Sequence, residues 1–583
     1  MKNLHSTLVQ EATAELEDSG RFYVVIRYSD ALGRTRRIAV PLSHLDLPKT
    51  LMKLLRDRGW SPDDEASAIN LIRKLGVASP PRRGKIIIAN GWTSRGRAFK
   101  HGNTVHASDA SRAYYVQTQT GRQLRKTLRP GAEAVEMIDT AVHDTILRKR
   151  GSLPGWRYTV ARLAKKSSVC MLVIAAAFAA PLLRLLKIRP FTILLYGTSL
   201  DGKTTIELGA ASMIGIGDEP MLPKWSMTEA RVSEYIRDYN DLVFPLDDIS
   251  YIRGPDKTKY EWARDYAYLF SGGGQREISR RASRAFNELP PRPDGYFAIP
   301  ISSYERSMAT LAEDVGQYRY AGEETRLIDL PVKLAGSKSI WDLAGQPPKG
   351  IAPAKWDRTL FKRFRDACKR NHGWALHYFM KKVVVSPTEC QKAVQTSLVY
   401  FQTHFDWSPT DKLEQRVIDE FAFIYGSGCS GIDAKILPWT KEELFAAVEK
   451  GCRQALSELR QSGRRAQEGL RRLEAVINDA AKVVPVKNRQ QVLPKGAIGR
   501  TYTVGGKRVV EIIRLELTSM KGLGQYLPGI EFKLGSILRR DSDGKSTVRE
   551  RWPGRPKRVR CLKLVWPKTL PLHKALSRLS HTK

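Results

Sequence analysis

The sequence predicts an α/β protein centred on a parallel sheet, and three observations lead there. Between about residues 151 and 332, apolar segments of strand length alternate with helical ones, the pattern of buried parallel strands joined by crossover helices. A glycine-rich turn, Gly197-Thr198-Ser199-Leu200-Asp201-Gly202-Lys203-Thr204, falls between one such strand and the helix after it. The end of the chain is strongly basic: from Gln461 to Lys583 there are 28 Lys and Arg against 9 Asp and Glu, about half of the net charge of +37.

At 583 residues the chain exceeds what a single core serves, and four segments are expected. Residues 1–150 form an N-terminal α/β domain: strands at Arg21–Tyr28 and Arg36–Val40 around a turn, helices at Leu51–Gly59 and Glu65–Leu75, then a strand at Lys85–Ala89 leading into Gly91-Trp92. Residues 151–332 form the core, with strands at Phe191–Tyr196, Leu242–Leu246 and Tyr296–Ile301 and helices at Lys203–Met213 and Tyr260–Phe270. Residues 333–460 are helical, with Thr440 and Glu443 at capping-box spacing. Residues 461–583 return to strands, with a hairpin over Thr501–Arg514 and a winged hairpin on a small helical domain built from 537–564.

Composition narrows the partners. A 42% hydrophobic, 9% aromatic chain has enough apolar surface to fold, and its excess positive charge attracts polyanions. Six scattered cysteines without a C-x-x-C pair argue against a zinc knuckle or a disulfide scaffold and fit a reducing cytoplasm. The apolar run Val169–Leu183 contains Pro181 and is short for a bilayer, so it is expected as a core helix, with no membrane partner and no signal segment in the first ten residues.

The glycine-rich turn carries the chemistry. Gly197 to Thr204 fits G-x-x-x-x-G-K-[ST]: glycines let successive N–H groups face a phosphate, Lys203 adds a point charge, and the Thr204 hydroxyl ligates Mg²⁺. Gly197, Thr198, Ser199, Leu200, Asp201, Gly202, Lys203, Thr204 and the following Thr205 are thus the expected ATP-binding residues. The apolar strand ending at Asp247-Asp248 supplies the acidic partner, with Asp247 as the magnesium ligand and Asp248 as the base that activates water. Pro245 within that strand is unusual. The third strand ends at Ser302-Ser303, where Ser303 could sense the γ-phosphate.

With these residues in order, the chain resembles the ATPase family known as domain of unknown function 927, which includes the MCM-like helicases of staphylococcal chromosomal cassettes. The resemblance rests on Gly91-Trp92, the helix Ala175–Leu183, the phosphate loop, Trp225 with Thr228, Asn240-Asp241, Asp247-Asp248, and Ala321-Gly322 followed by Arg326. Phe421–Gly426 with Ile436-Leu437-Pro438-Trp439 resembles the family's helical lid. The resemblance implies an AAA+ P-loop ATPase core in a hexameric homo-oligomer that hydrolyses ATP with Mg²⁺ between subunits and moves along DNA. It makes Arg326 the finger acting on the neighbouring subunit, and Arg416 the sensor arginine of the lid. It also places a basic hairpin in the ring's pore, with Arg276, Arg280 and Arg281 gripping DNA. Two departures bear on turnover rather than on nucleotide binding: Ser302-Ser303-Tyr304-Glu305 lacks the family's glycine, and Asp248 stands where Glu is usual. A nucleotide-gated DNA-binding switch without unwinding is the alternative reading.

Overall fold

The computed structural model describes residues 8–572 apart from 17–21, 63, 76–82, 87–88, 94–95, 97, 103, 108–133, 137–146, 229–230, 232–234, 236–237, 273–294, 318, 335, 521–522, 524–529, 532–533, 542–544, 553–556 and 570–571. The chain divides into two compact units. The first comprises 1–253, 263–305 and 325–452; the second comprises 254–262, 306–324 and 453–583.

The first unit opens with β1 (Leu8–Leu16), β2 (Phe22–Ser29) and β3 (Thr35–Pro41), an antiparallel meander extended by β4 (Arg83–Ile86). Val24, Ile26, Ile38 and Val40 alternate inward and pack on Leu51 and Leu55 of α1 (Pro48–Arg56) and Ile72 of α2 (Glu65–Lys74). Asp30 fixes the β2–β3 turn by accepting hydrogen bonds from the backbone N–H groups of Leu32 and Arg34. A small sheet of β5 (Gly91–Trp92), β6 (Ala98–His101) and β7 (Thr104–Ala107) follows, and β8 (Ala134–Glu136) pairs with β4.

The central sheet has the order β10-β11-β9-β12, all parallel, from β9 (Thr192–Tyr196), β10 (Leu242–Leu246), β11 (Ala298–Tyr304) and β12 (Leu327–Pro331). Three of these strands match the expectation. The fourth, β12, lies in the segment expected only as the finger element. β11 runs farther than expected, so Ser302 and Ser303 sit within the strand rather than after it. Pro245 is explained by position: β10 is an edge strand, where a missing N–H leaves no ladder bond unmade.

Behind the sheet, the apolar run becomes α3 (Ser168–Ala179), every residue of which is buried. Ser167 caps it by accepting from Cys170 N at 3.2 Å, a contact of about 1 kcal/mol. Ser168–Leu186 is long and apolar enough to cross a membrane, yet 83% of that window is buried inside the fold. It packs against α4 (Lys203–Ile214) and against the later helix α9 (Lys412–Asp433). α9 approaches closely because it carries glycines at the contact. A Cβ on Gly428 would stand 3.0 Å from the Ala175 Cβ, and one on Gly431 2.9 Å from the Phe178 ring. Between α4 and α9 come α5 (Asp256–Ser271), α6 (Pro353–Arg370), α7 (Trp374–Val383) and α8 (Pro387–His404), so helices dominate from 353 to 460, whereas the described residues of 333–352 form turns and coil.

Helix α10 (Lys441–Asn478) begins at the anticipated capping box: Thr440 N donates to Glu443 Oε2, and Glu443 N to Thr440 Oγ1. It runs unbroken through 460 and 461, so the boundary expected there falls inside a helix. The end of the chain departs from the winged helical expectation. Among the described residues it forms a five-stranded sheet, β13-β14-β15-β17-β16, from Val483–Pro485, Gly499–Val504, Lys507–Ile513, Val559–Pro567 and Val548–Glu550. The β14–β15 hairpin turns at Gly505-Gly506 as expected. Of the anticipated wing, 559–564 belongs to β17, but its strand partners are β15 and β16, and the 537–540 segment supplies only a Leu538–Leu564 bridge. Val510, Ile512, Leu562, Leu564 and Trp566 face a core completed by Leu473 and Ile477 of α10. All six cysteines are free.

Candidate nucleotide site

Parallel strands bring their C-terminal ends to one edge, and ligands of such sheets bind there. β9 runs into the glycine-rich turn, and its Gly197 N donates to Tyr304 O at the end of β11. The turn needs left-handed backbone at Leu200 (φ 70°) and Gly202 (φ 90°). At Gly202 a Cβ would also collide with the Phe361 ring, so the second motif glycine is required twice. Lys203 Nζ donates to the carbonyls of Gly197 (2.8 Å) and Thr198 (3.1 Å), holding its charge over the loop. Asp201 pins the loop: it accepts from Thr198 Oγ1 at 2.7 Å and pairs with Lys333 at 2.5 Å. Leu200 is 96% exposed, and Thr205 is buried within α4.

β10 delivers the acidic pair beside this loop. Leu246 is in register with Ser302, so Asp247 emerges level with Ser303. Thr204 Oγ1 donates to Asp247 Oδ1 at 3.3 Å, which joins the two expected magnesium ligands. Both are hard oxygen donors, one hydroxyl and one carboxylate, the set that suits an octahedral ion also held by phosphate oxygens. Burial pushes the Asp247 carboxyl up, and the charge of Asp248 adds to this; a dication would reverse both effects. The backbone of 223–225 clamps Asp247, whose N–H donates to Pro223 O at 2.8 Å and whose carbonyl accepts from Trp225 N at 3.4 Å; the Trp225 indole Nε1 donates to Ser302 Oγ at 2.8 Å. That explains the tryptophan at this position.

Asp248 sits at φ 42°, a strained value for a non-glycine residue. Its N–H donates to Ser303 Oγ at 3.3 Å, so the serine expected as sensor touches the acidic pair. Its carboxylate accepts from Ser250 N at 2.8 Å and caps a short turn. Sequence reasoning missed Glu207. This fully buried residue of α4 stands one helical turn after Lys203, and burial, reinforced by Asp247, pushes its carboxyl well above the usual range. It lies beneath the acidic pair. The i, i+4 spacing from Lys203 was the one available signal.

Arg326 lies at the other end of the sheet. Its carbonyl accepts from Thr192 N, and Leu327 is in register with Thr192, five residues before Gly197. At about 3.3 Å per residue this sets Arg326 roughly 15 Å of strand behind its own phosphate loop, beyond the reach of its side chain. Its guanidinium donates to Ser271 Oγ at 2.9 Å and lies 4.8 Å from the Tyr268 ring centre. Arg416, near the start of α9, donates from Nε to Glu420 Oε1 at 3.2 Å. Glu420 is buried, and burial raises its carboxyl to about 8, with Arg416 and Arg326 opposing the rise. The two arginines thus act on one carboxyl and not on their own phosphate loop. Arg276, Arg280 and Arg281 lie outside the described residues.

The remaining marker residues form a structural joint. Trp92 N donates to Asp241 Oδ2 at 2.9 Å, Trp92 Nε1 to Pro181 O at 2.7 Å, and Asn240 Nδ2 to Asn90 O at 2.8 Å. Arg184 pairs with Asp241 at 3.3 Å. Gly91 has φ 93°, and any Cβ there would strike the Asp241 carboxylate.

Comparisons with known proteins agree with this architecture. The solved structure described as SCCmec type IV Cch, an active helicase, superposes with a TM-score of 0.58 at 14% identity, covering 96% of this chain and 93% of that one, and shares its fold. The apo NrS-1 C-terminal region is 9% identical over 71% of this chain and 83% of that one, and its TM-score of 0.27 is too low to define a common fold. No curated protein matches. Residues 4–287, just under half of the chain, match the family described as domain of unknown function (DUF927).

Proposed function

We propose that the protein is an ATP-driven DNA helicase or translocase working as a ring of identical subunits, most simply a hexamer. The observation that carries this reading is the division of chemistry across one sheet. Lys203, Thr204, Asp247 and Ser303 meet at one end, while Arg326 and Arg416 stand at the other with no path to their own loop. A neighbouring subunit completes each site when the arginine end of one copy faces the loop end of the next.

In this reading, the loop N–H groups and Lys203 hold the β- and γ-phosphates, and Thr204 and Asp247 hold Mg²⁺. When bound, that ion neutralises phosphate charge and orients the terminal phosphoryl group. Asp248 orients the attacking water and Ser303 reports on the γ-phosphate. The neighbour's Arg326 neutralises charge that spreads over the γ-phosphate oxygens in the transition state, with Arg416 assisting. Turnover then shifts the contacts between subunits, and Arg276, Arg280 and Arg281 carry the strand.

The test combines ATP turnover with and without single-stranded DNA, strand separation on a forked duplex, and electron microscopy of the assembly on that fork. DNA-stimulated turnover, unwinding and an encircling ring are expected; turnover indifferent to DNA would overturn the reading. A nucleotide-gated DNA-binding switch is the second reading, favoured by the Asp248 carboxylate being engaged in its own turn. It expects stimulation by DNA without unwinding.

A further inference from the structure

The two faces of the β16–β17 ribbon differ in a way that stability does not explain. Side chains alternate across a strand. Glu550, Trp552, Val559 and Cys561 point to one face. Glu550 accepts from Arg489 Nη2 at 2.8 Å and Lys563 Nζ at 2.7 Å. Trp552 is buried with Ile513 and Cys561, its ring 4.8 Å from the Arg500 guanidinium, and Val559 packs on this cluster. The neighbouring Glu511 is wholly buried among Arg489, Arg500 and Lys563. On this face the cations are matched by carboxylates.

Arg549 and Arg560 alternate to the opposite face and stand directly opposite each other in the antiparallel register, and Arg551 and Arg558 lie two residues away along the chain; all four are exposed, whereas farther along β17 the same face carries the buried Leu562, Leu564 and Trp566. None of the four has a carboxylate partner among the described residues, and Lys557 beside them is also exposed. Like charges placed directly opposite in a sheet destabilise it. Four guanidiniums in two rows, mounted on a ribbon anchored from beneath by Trp552, form a rigid and geometrically regular array. Guanidinium pairs with phosphate oxygens through two hydrogen bonds at once, which suits it to a repeating phosphodiester chain.

We infer that the outward face of the β16–β17 ribbon is a docking surface for the phosphate backbone of nucleic acid, separate from any contact made in a ring's pore. The inference rests on the proposal that the protein works on DNA and assigns a surface to it. Because the array meets phosphates and presents no base-reading groups, it binds without regard to sequence. The competing explanation is that charge merely guards the exposed edge strand β16 against pairing with another copy.

The experiment uses the full chain with Arg549, Arg551, Arg558 and Arg560 all changed to Gln, and a second variant carrying Arg549→Glu and Arg560→Glu. Labelled duplex and single-stranded oligonucleotides of mixed sequence are titrated by anisotropy across a salt series, beside thermal unfolding and sizing. The Gln variant is expected to keep its thermal midpoint and lose affinity, with the slope of log affinity against log salt on duplex flattened by about three to four, as four lost phosphate contacts require. The Glu variant, whose edge remains charged, is expected to bind more weakly than wild type as well. Wild-type affinity and slope in the Gln variant would overturn the assignment. So would a Gln variant that self-associates while its monomer binds DNA normally, which would make the array an edge guard. Loss of binding to phosphatidylserine vesicles with DNA binding unchanged would overturn it in favour of a lipid surface. A wild-type protein that binds no DNA would instead remove the helicase proposal along with this one.

Discussion

At the C-terminal ends of β9, β10 and β11 the chain gathers a lysine, a hydroxyl, a buried and a half-buried carboxyl and the fully buried Glu207 within a few side chains of one another. At the N-terminal end of β12 it presents Arg326, with Arg416 acting on the same buried Glu420. The first cluster can hold a polyphosphate and its counter-ion, and its further cations are engaged there, Lys333 with Asp201 and Lys224 with Tyr251. The second has cations and no loop to bind phosphate. Each end lacks what the other supplies, and a sheet is too rigid to fold one end onto the other within a single chain. In the proposed ring a second copy completes each site, and the contrast between the ends can be attacked directly.

The largest effect is expected at the arginine end. Arg326→Ala should bind ATP normally and hydrolyse it about 10³-fold more slowly or worse. Steady-state turnover alongside a fluorescent-nucleotide binding assay checks this, and an unaffected rate would dissolve the contrast. Lys203→Ala should cost about 10²- to 10³-fold through the other end. Mixing these two inactive proteins should restore part of the turnover, fading on dilution, because some interfaces pair an intact loop with an intact finger. A co-assembled mixture as inactive as its parents would confine each site to one chain.

Asp248→Asn should lower turnover by about 10²-fold while retaining bound ATP, measured in single-turnover experiments. Near-normal hydrolysis would move the role of base to another carboxyl and sharpen the meaning of the Asp248–Ser250 cap. The smallest effect concerns Glu420. Folded protein holds its proton up to about pH 8, whereas the unfolded chain releases it near 4.5. The associated stability is present in full below 4.5 and is lost as pH rises through 8. Denaturant midpoints taken across that window should fall for the wild type and fall less for Glu420→Gln. Parallel curves would mean that the carboxyl is already ionised between the arginines.

How much of this was readable beforehand depends on where the information lies. The phosphate loop is local: its glycines and Lys203 announce themselves through spacing alone, and Thr204 with Asp247 follows from chemistry. β12 was missed because Leu327-Ile328-Asp329-Leu330 is short and was read for the arginine before it. Glu207 was invisible because one acid on a helix looks the same whether it faces water or the sheet; only the burial of α4 on both sides pushes its carboxyl up. The β16–β17 strands were blurred for a related reason. Arg558–Leu564 was expected in a wing, and 559–564 became part of β17, but Arg549-Glu550-Arg551 carries no hydrophobic period, so β16 was not recognised as a strand. The break placed at 460 falls within the continuous helix α10, along which the compact units divide at 452/453.

The joint at Asn240-Asp241 has a consequence for how the sheet is assembled. β10 is five residues long and is indexed at both ends: Asp241 is fixed to Trp92 before it begins, and Asp247 to Thr204 after it finishes. A slip of one residue in either direction would turn its side chains to the wrong face and break both anchors together. The first anchor joins residues about 150 positions apart, and such distant contacts form late. An edge strand containing a proline is the least self-sufficient member of the sheet. Here its alignment is checked against a segment made long before it, so the acidic end of the site becomes competent only after the N-terminal region has folded onto the core.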